Sequence, residues 1–253
     1  MNIVLKPAGL LVALCLIAAL LWAVVSQRAD SPFERTGASN GFTPMSNPPI
    51  AVLENSHNAP AIDLSRLGST DWVIYGTHPG VTPAHSFARK AVALPAIAPV
   101  EFTGAGTVAS YASDPRPFRW SDGAGDSKTG AEMRTGIVTT GVGSGFHFVV
   151  TPTVGRRQTL KLWVGGEGIR SKVFARFDDG APLSRVVSSS QDIGPAGKVS
   201  FRSLYTVYFT AAKPSEKLIV SFIVGEDGVV RQGAAKPTVP AESAVSLQAV
   251  ALD

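Results

Sequence analysis

Between residues 157 and 164 the chain reads R-Q-T-L-K-L-W-V, an alternation that puts Leu160, Leu162 and Val164 on one face of an extended strand and Thr159, Lys161 and Trp163 on the other. The same two-residue period runs through K-L-I-V-S-F-I-V, where Leu218, Val220, Phe222 and Val224 share a face, and through V-S-L-Q-A-V-A-L at 245–252. Y-T-V-Y-F-T (205–210), G-F-H-F-V-V (145–150) and S-K-V-F-A-R-F (171–177) add three more strands. The breaks G-G-E-G (165–168), D-D-G (178–180) and E-D-G (226–228) read as hairpin turns, because glycine tolerates the positive φ such turns demand. No long stretch after residue 60 carries a helical period. About ten short strands at this spacing, with no internal repeat, predict an all-β fold: one antiparallel jelly-roll sandwich over residues 61–253.

Charged residues make up 17% of the chain, below the roughly 25% of ordinary soluble proteins. Part of that deficit is local, since residues 8–25, A-G-L-L-V-A-L-C-L-I-A-A-L-L-W-A-V-V, hold no charge. As a helix this run would extend about 27 Å, close to a bilayer's hydrocarbon thickness. With Lys6 on the short leading side and Arg28 behind, the expected arrangement is a single retained anchor with the bulk of the chain outside the cytoplasm. A cleaved signal peptide, with Val24 and Ser26 as the small residues before the cut, is the alternative. Cys15, the one cysteine, lies inside the run after Leu14, which disfavours lipidation and leaves no intrachain disulfide. An exported fold without disulfides must then be held by burial alone. Residues 31–60 are rich in Pro, Gly, Ser and Asn, show no period, and read as a flexible spacer.

The stretch S-T-D-W-V-I-Y-G-T-H-P-G (69–80) gathers an acid, two large rings and a histidine. Alternation places Trp72 and Ile74 on one face and Val73 and Tyr75 on the other, so at least one ring must be buried. Asp71 reads as a strand-start acid accepting local backbone bonds, and His78 as a loop residue. In order along the chain, D-W-V-I-Y-G (71–76), R-K (89 and 90), F-R-W-S-D-G (118–123), G-F-H-F-V-V, L-K-L-W-V-G (160–165), F-D-D-G (177–180), Y-T-V-Y-F and the closing V-S-L-Q-A-V-A-L resemble a secreted bacterial β-sandwich module. That module is similar to the galactose-binding-like and carbohydrate-binding jelly rolls. The resemblance covers residues 61–253 and implies the fold and an extracytoplasmic compartment; it carries no site residues over.

Nucleophilic chemistry finds little support in the residues themselves. V-G-S-G-F around Ser144 misses the G-x-S-x-G spacing, there is no H-E-x-x-H, and His78, His85 and His147 are scattered. G-G-E-G-I-R has neither the lysine nor the glycine spacing of a phosphate loop. Asp122 and Asp126 stand four apart in W-S-D-G-A-G-D-S, so a structural calcium is the one cofactor considered; the preferred reading is a turn in which Asp122 caps backbone donors, with no metal and no cofactor.

Binding suits the aromatic residues better, because sugar rings lay their C–H faces on flat aromatics while polar neighbours orient the hydroxyls. Candidate ligand residues are Trp163 with Thr159 and Lys161 on its strand face, and Tyr208 with Thr206 and Thr210. Trp120 beside Asp122 at a loop edge, and Tyr75 and His78 at the rim of the first strand, complete the set. A covered second face, which would make Trp163 core, remains equally open at this point. Arg156, Arg157, Lys161, Arg170, Lys172, Arg176 and Arg185 form a basic stripe that is either a solvated face or a contact for anionic polymers. The expectation is therefore a membrane-tethered noncatalytic module recognising carbohydrate or another envelope polymer, with no nucleic-acid partner. A structural or protein-interaction domain without a small ligand is the alternative, and a glycan-active hydrolase the third reading.

Overall fold

The computed structural model of the chain describes residues 50–54, 60–78, 80–167, 171–178, 182–187, 192–193, 199–225 and 243–253. The apolar run 8–25, most of the spacer and the D-D-G and E-D-G turns lie wholly or partly outside the described residues. Among the described residues no helix is long and apolar enough to cross a membrane.

The alternating stretches all form strands, and others join them. In chain order these are β1 (Ile50–Glu54), β2 (Ile62–Asp63), β3 (Asp71–Tyr75), β4 (Phe87–Arg89), β5 (Glu101–Thr103), β6 (Val108–Tyr111), β7 (Phe118–Trp120), β8 (Gly130–Met133) and β9 (Gly136–Thr140). They continue with β10 (Gly145–Val150), β11 (Arg157–Glu167), β12 (Ser171–Phe177), β13 (Pro182–Val187), β14 (Asp192–Ile193), β15 (Val199–Thr210), β16 (Leu218–Val224) and β17 (Ala244–Leu252). One α-helical turn, α1 (Leu64–Leu67), follows β2, with the Asp63 carboxylate accepting the Arg66 N–H at 3.2 Å as its N-cap.

Two sheets form the sandwich. The larger runs β1-β15-β11-β17-β3-β4, with β14 on β15 and a β9–β6 arm on β17; the smaller runs β13-β12-β16-β10-β5. Pairing within both is antiparallel. Between them lies the main core, where Leu160, Leu162 and Val164 of β11 meet Phe146, Phe148 and Phe222 of the facing sheet. Alternation in the sequence predicts these inward faces because a strand's side chains change side at every residue.

Two differences from the sequence reading matter. Ile50–Glu54, assigned to the spacer, is an edge strand paired with Ser203–Val207 of β15. Gly165 and Gly166, read as a hairpin, continue β11 as far as Glu167. Their lack of side chains serves packing instead of a turn: a Cβ on Gly166 would come within 2.4 Å of the Phe201 ring.

A third, three-stranded sheet, β2-β7-β8, lies on the outer face of the large sheet together with α1. It encloses a second core of Leu64, Trp72, Ile74, Phe118, Trp120 and Trp163. Both faces of β3 and β17 are buried in consequence. At the centre of the large sheet the β11–β17 register shifts between Trp163 and Val164, which leaves Gln248 as the extra residue of a bulge. Bulges re-aim side chains, and here the Gln248 side chain joins a buried polar network described below.

Candidate functional site

The three-stranded cap decides the fate of the predicted rings. Trp163 is 2% exposed and meets Phe118 edge-on, ring centroids 5.7 Å apart; Trp120 is buried against Trp72 at 5.4 Å. Tyr75 points into the main core and is equally enclosed. Trp163 and Trp120 are thus packing residues between the cap and the large sheet, and Tyr75 is one between the two main sheets; none is a surface platform. His78 is exposed, with its Nδ1 2.8 Å from the Thr77 hydroxyl.

The motif residues that carried the resemblance turn out to hold one another. The buried Asp71 carboxylate accepts the Trp72 N–H (2.8 Å) and the Ile97 N–H (2.9 Å) and pairs with Arg89 Nη2 (3.1 Å). Asp122 accepts the Trp72 indole N–H at 2.9 Å, and also hydrogen bonds from Lys90 Nζ and the Ser65 hydroxyl. D-W, R-K and W-x-D-G therefore form two staples, one inside the strand pair and one tying the cap to the sheet. The Asp122 turn is held by side-chain donors where the sequence suggested backbone ones. Burial pushes the Asp122 carboxyl up, but the bonds from Lys90, Ser65 and Trp72 outweigh it and hold the group below its ordinary value. The side chain of Asp126 lies outside the described residues, among which no group of three or more metal-ligating side chains comes together.

Three predicted residues do come together. On the outer face of the large sheet, beyond the cap, Thr159 of β11 lies directly opposite Tyr208 of β15, and Lys161 opposite Thr206. The Arg157 guanidinium stands 5.4 Å from the Tyr208 ring centroid. Arg157 is exposed here, and Thr159, Lys161, Thr206 and Tyr208 are half-exposed. The basic stripe does not form one surface: Arg157 and Lys161 lie on the large sheet, whereas Arg176 belongs to β12 of the smaller one.

At the other end of the same outer face is a cleft of about 260 Å³, lined among others by Tyr111, Val138, Glu167, Arg202, Ala244 and Ser246. Strand register builds it. Gly165 pairs with Arg202 on one side and Ser246 on the other, and Glu167 pairs with Ala244. Ser246 in turn faces Val138 on β9. Small residues thus occupy the outward positions of the two central strands, leaving a trough walled by Arg202 on one flank and Tyr111 on the other. Gly165 permits this directly, since a Cβ there would come within 2.8 Å of Ser246 Oγ and 2.9 Å of Arg202 Cδ.

Beneath the trough lies a dense polar network. The loop D-P-R-P (114–117) closes an Asx-type turn in which Asp114 accepts the Arg116 N–H at 3.0 Å. Asp114 also pairs with Arg116 Nε (3.0 Å), accepts the Tyr111 hydroxyl (3.0 Å) and stands 3.6 Å from Arg202 Nε. The buried Arg116 guanidinium donates further to the Val164 carbonyl (3.1 Å), the Ser203 carbonyl (3.3 Å) and the Gln248 side chain. Gln248 Nε2 donates to Tyr111 and Ser246. A guanidinium can be buried at this depth because nearly every donor is met. Burial, reinforced by the Asp114 charge, pushes the Tyr111 phenol up to about 12 and keeps it protonated. At the rim, Glu167 is exposed and its carboxylate has no partner among the described residues; Arg202 donates through Nη1 to the Phe201 carbonyl (2.8 Å), which leaves Nη2 without one.

Sequence reasoning missed this site. Its one legible signal was the run of small residues at outward positions, Gly165 with Ala244 and Ser246, within otherwise bulky strands; reading G-G as a turn concealed it.

No family model matches the chain, and no curated protein does. Among solved structures it is similar to the enzymatically active domain of bacteriophage CBA120 tailspike protein 4, at 14% identity and TM-score 0.35, covering 62% of this chain and 19% of that one. It is also similar to TmCBM61 in complex with beta-1,4-galactotriose, at 12% identity and TM-score 0.32, covering 61% of this chain and 88% of that one. The chain therefore spans about a fifth of the tailspike domain's length. Likenesses of this size carry no argument about activity.

Proposed function

We propose that the protein is a membrane-tethered, extracytoplasmic jelly-roll module that recognises carbohydrate or another envelope polymer without transforming it, and that the outer-face cleft is its recognition site. The observation that carries this reading is the cleft itself: an apolar lining of Tyr111, Val138 and Ala244 beside the exposed Glu167 carboxylate and an Arg202 guanidinium engaged through Nη1 and near Asp114 through Nε, next to a hydrogen-bonded network that fixes its walls. Concave sites with a few placed polar groups are how proteins take small polar rings. The resemblance of the sequence to carbohydrate-binding jelly rolls points the same way, and residues 8–25 supply the tether.

A noncatalytic role is favoured by the state of the second carboxylate. Glycoside cleavage works through a pair of acids, but Asp114 is held between Arg116 and Arg202 and capped by Tyr111. The Arg157–Tyr208–Lys161 strip serves in this reading as an accessory surface for a polymer that carries negative charge.

The test is binding of the full-length chain to an array of glycans and envelope polysaccharides, with Arg202→Ala alongside. Retention of the wild type and loss with Arg202→Ala support the reading. Failure to bind any polysaccharide, with a protein partner recovered by cross-linking, favours an interaction domain instead.

A further inference from the structure

We infer that the cleft takes a neutral sugar through a vicinal diol, and not an acidic sugar; this rests on the reading above that the cleft binds carbohydrate. The charges in and directly beneath it balance. Arg202 and Arg116 are matched by Asp114 and Glu167, and Asp114 lies within 3.0 Å of one guanidinium nitrogen and 3.6 Å of the other. An entering carboxylate would lose hydration, gain no net attraction, and approach the unpaired Glu167.

A pair of neighbouring hydroxyls meets the same groups without that penalty. An ionised carboxylate only accepts and a guanidinium only donates, whereas a hydroxyl does both. One hydroxyl can donate to Glu167 while its neighbour accepts from Arg202 Nη2. The placement suits this: Arg202 sits opposite Gly165, and Glu167 is two residues further along the same face of β11, a diagonal cross-strand relation. On the opposite flank the Tyr111 hydroxyl is committed to Asp114 and Gln248, so the residue offers its ring to the cleft and not its O–H. With Val138 and Ala244 it provides an apolar wall for a sugar's C–H face. The volume, about 260 Å³, falls below the roughly 300–1,000 Å³ of pockets for drug-sized ligands. It is the size for a single ring, such as a chain end.

The experiment titrates the full-length chain, held in a non-glycosidic detergent, with neutral hexose oligosaccharides and with matched uronic-acid oligosaccharides by calorimetry. Glu167→Ala, Glu167→Gln and Gly165→Ala accompany it. The neutral series is expected to bind at least about tenfold tighter than the acidic one. Glu167→Ala should weaken neutral binding about tenfold or more, the loss of one charge-assisted hydrogen bond, and Gly165→Ala should weaken it by setting a Cβ against Ser246 and Arg202 in the cleft. Glu167→Gln should narrow the neutral-over-acidic preference by relieving repulsion. Near-ultraviolet circular dichroism confirms that the variants are folded; since Glu167 is exposed, its variants keep the observation decisive if Gly165→Ala misfolds. Tighter, salt-sensitive binding of the uronic acids in competition with the neutral series overturns the inference and leaves the carbohydrate reading standing. Neutral binding unchanged by Glu167→Ala overturns the diol contact. No binding by either series overturns both.

Discussion

Removing the Asp71 carboxylate separates a structural motif from a functional one. In Asp71→Ala the Trp72 and Ile97 N–H groups lose their acceptor, and Arg89, 19% exposed in its side chain, loses its counter-ion. Each orphaned buried donor costs about 1–3 kcal/mol, and breaking a buried pair by deleting one partner costs about 3–5 kcal/mol overall. Water entering the vacated space would bring the result toward the lower bound, so we expect about 3–4 kcal/mol. The second staple is wetter: Asp122 is 37% exposed in its side chain, so water can take its place against Ser65 and Lys90 once it is gone. Only the Trp72 indole N–H is stranded, which predicts about 1–2 kcal/mol for Asp122→Ala. Equilibrium urea unfolding followed by tryptophan emission reads both, since Trp72, Trp120 and Trp163 all lie in the second core. Equal costs for the two variants, or less than about 1 kcal/mol for Asp71→Ala, would refute the assignment of D-W and R-K to a buried staple.

Other consequences follow from the same contacts. Trp163→Ala should destabilise by about 3–5 kcal/mol through the cavity it leaves, with glycan affinity of the folded fraction unchanged; a selective loss of binding without loss of stability would contradict its place in the core. Because the folded Asp122 carboxyl lies below its ordinary value of 3.8, its contribution is present above that value and lost as the pH falls through the lower folded one. The urea midpoint of the wild type should therefore drop on acidification more steeply than that of Asp122→Asn, and parallel profiles would count against the Lys90–Asp122–Trp72 contact.

What the sequence conveyed depended on whether a property is local. The period of two in β10, β11 and β16 located the strands and their inward faces, because alternation needs no knowledge of the partner strand; in β17 it located the strand, but the bulge at Gln248 moves the inward face from Val245 and Leu247 to Val250 and Leu252. Whether Trp163 faces water depended on β2-β7-β8, which closes over it from elsewhere in the chain, and no pattern within β11 reports that. Thr159 and Lys161 share a face by alternation within β11 and Tyr208 shares one with Thr206 within β15, but that the two faces adjoin follows from cross-strand register, which no spacing within either strand states. The cleft depended on register across β15, β11, β17 and β9 together with a bulge at Gln248, which short-range spacing does not encode. The loop D-P-R-P held the residues of the buried network, yet nothing in its composition distinguished Asp114 and Arg116 from a solvated turn.

Backbone amide shifts during titration with a neutral oligosaccharide that binds distinguish the cleft from the Tyr208 strip. Gly165, Gly166, Glu167, Arg202 and Ser246 are expected to move together and saturate with one dissociation constant, while Arg157, Thr159, Lys161 and Tyr208 change little. Movement confined to the Tyr208 strip, or spread over neither surface, would contradict the assignment of recognition to the cleft.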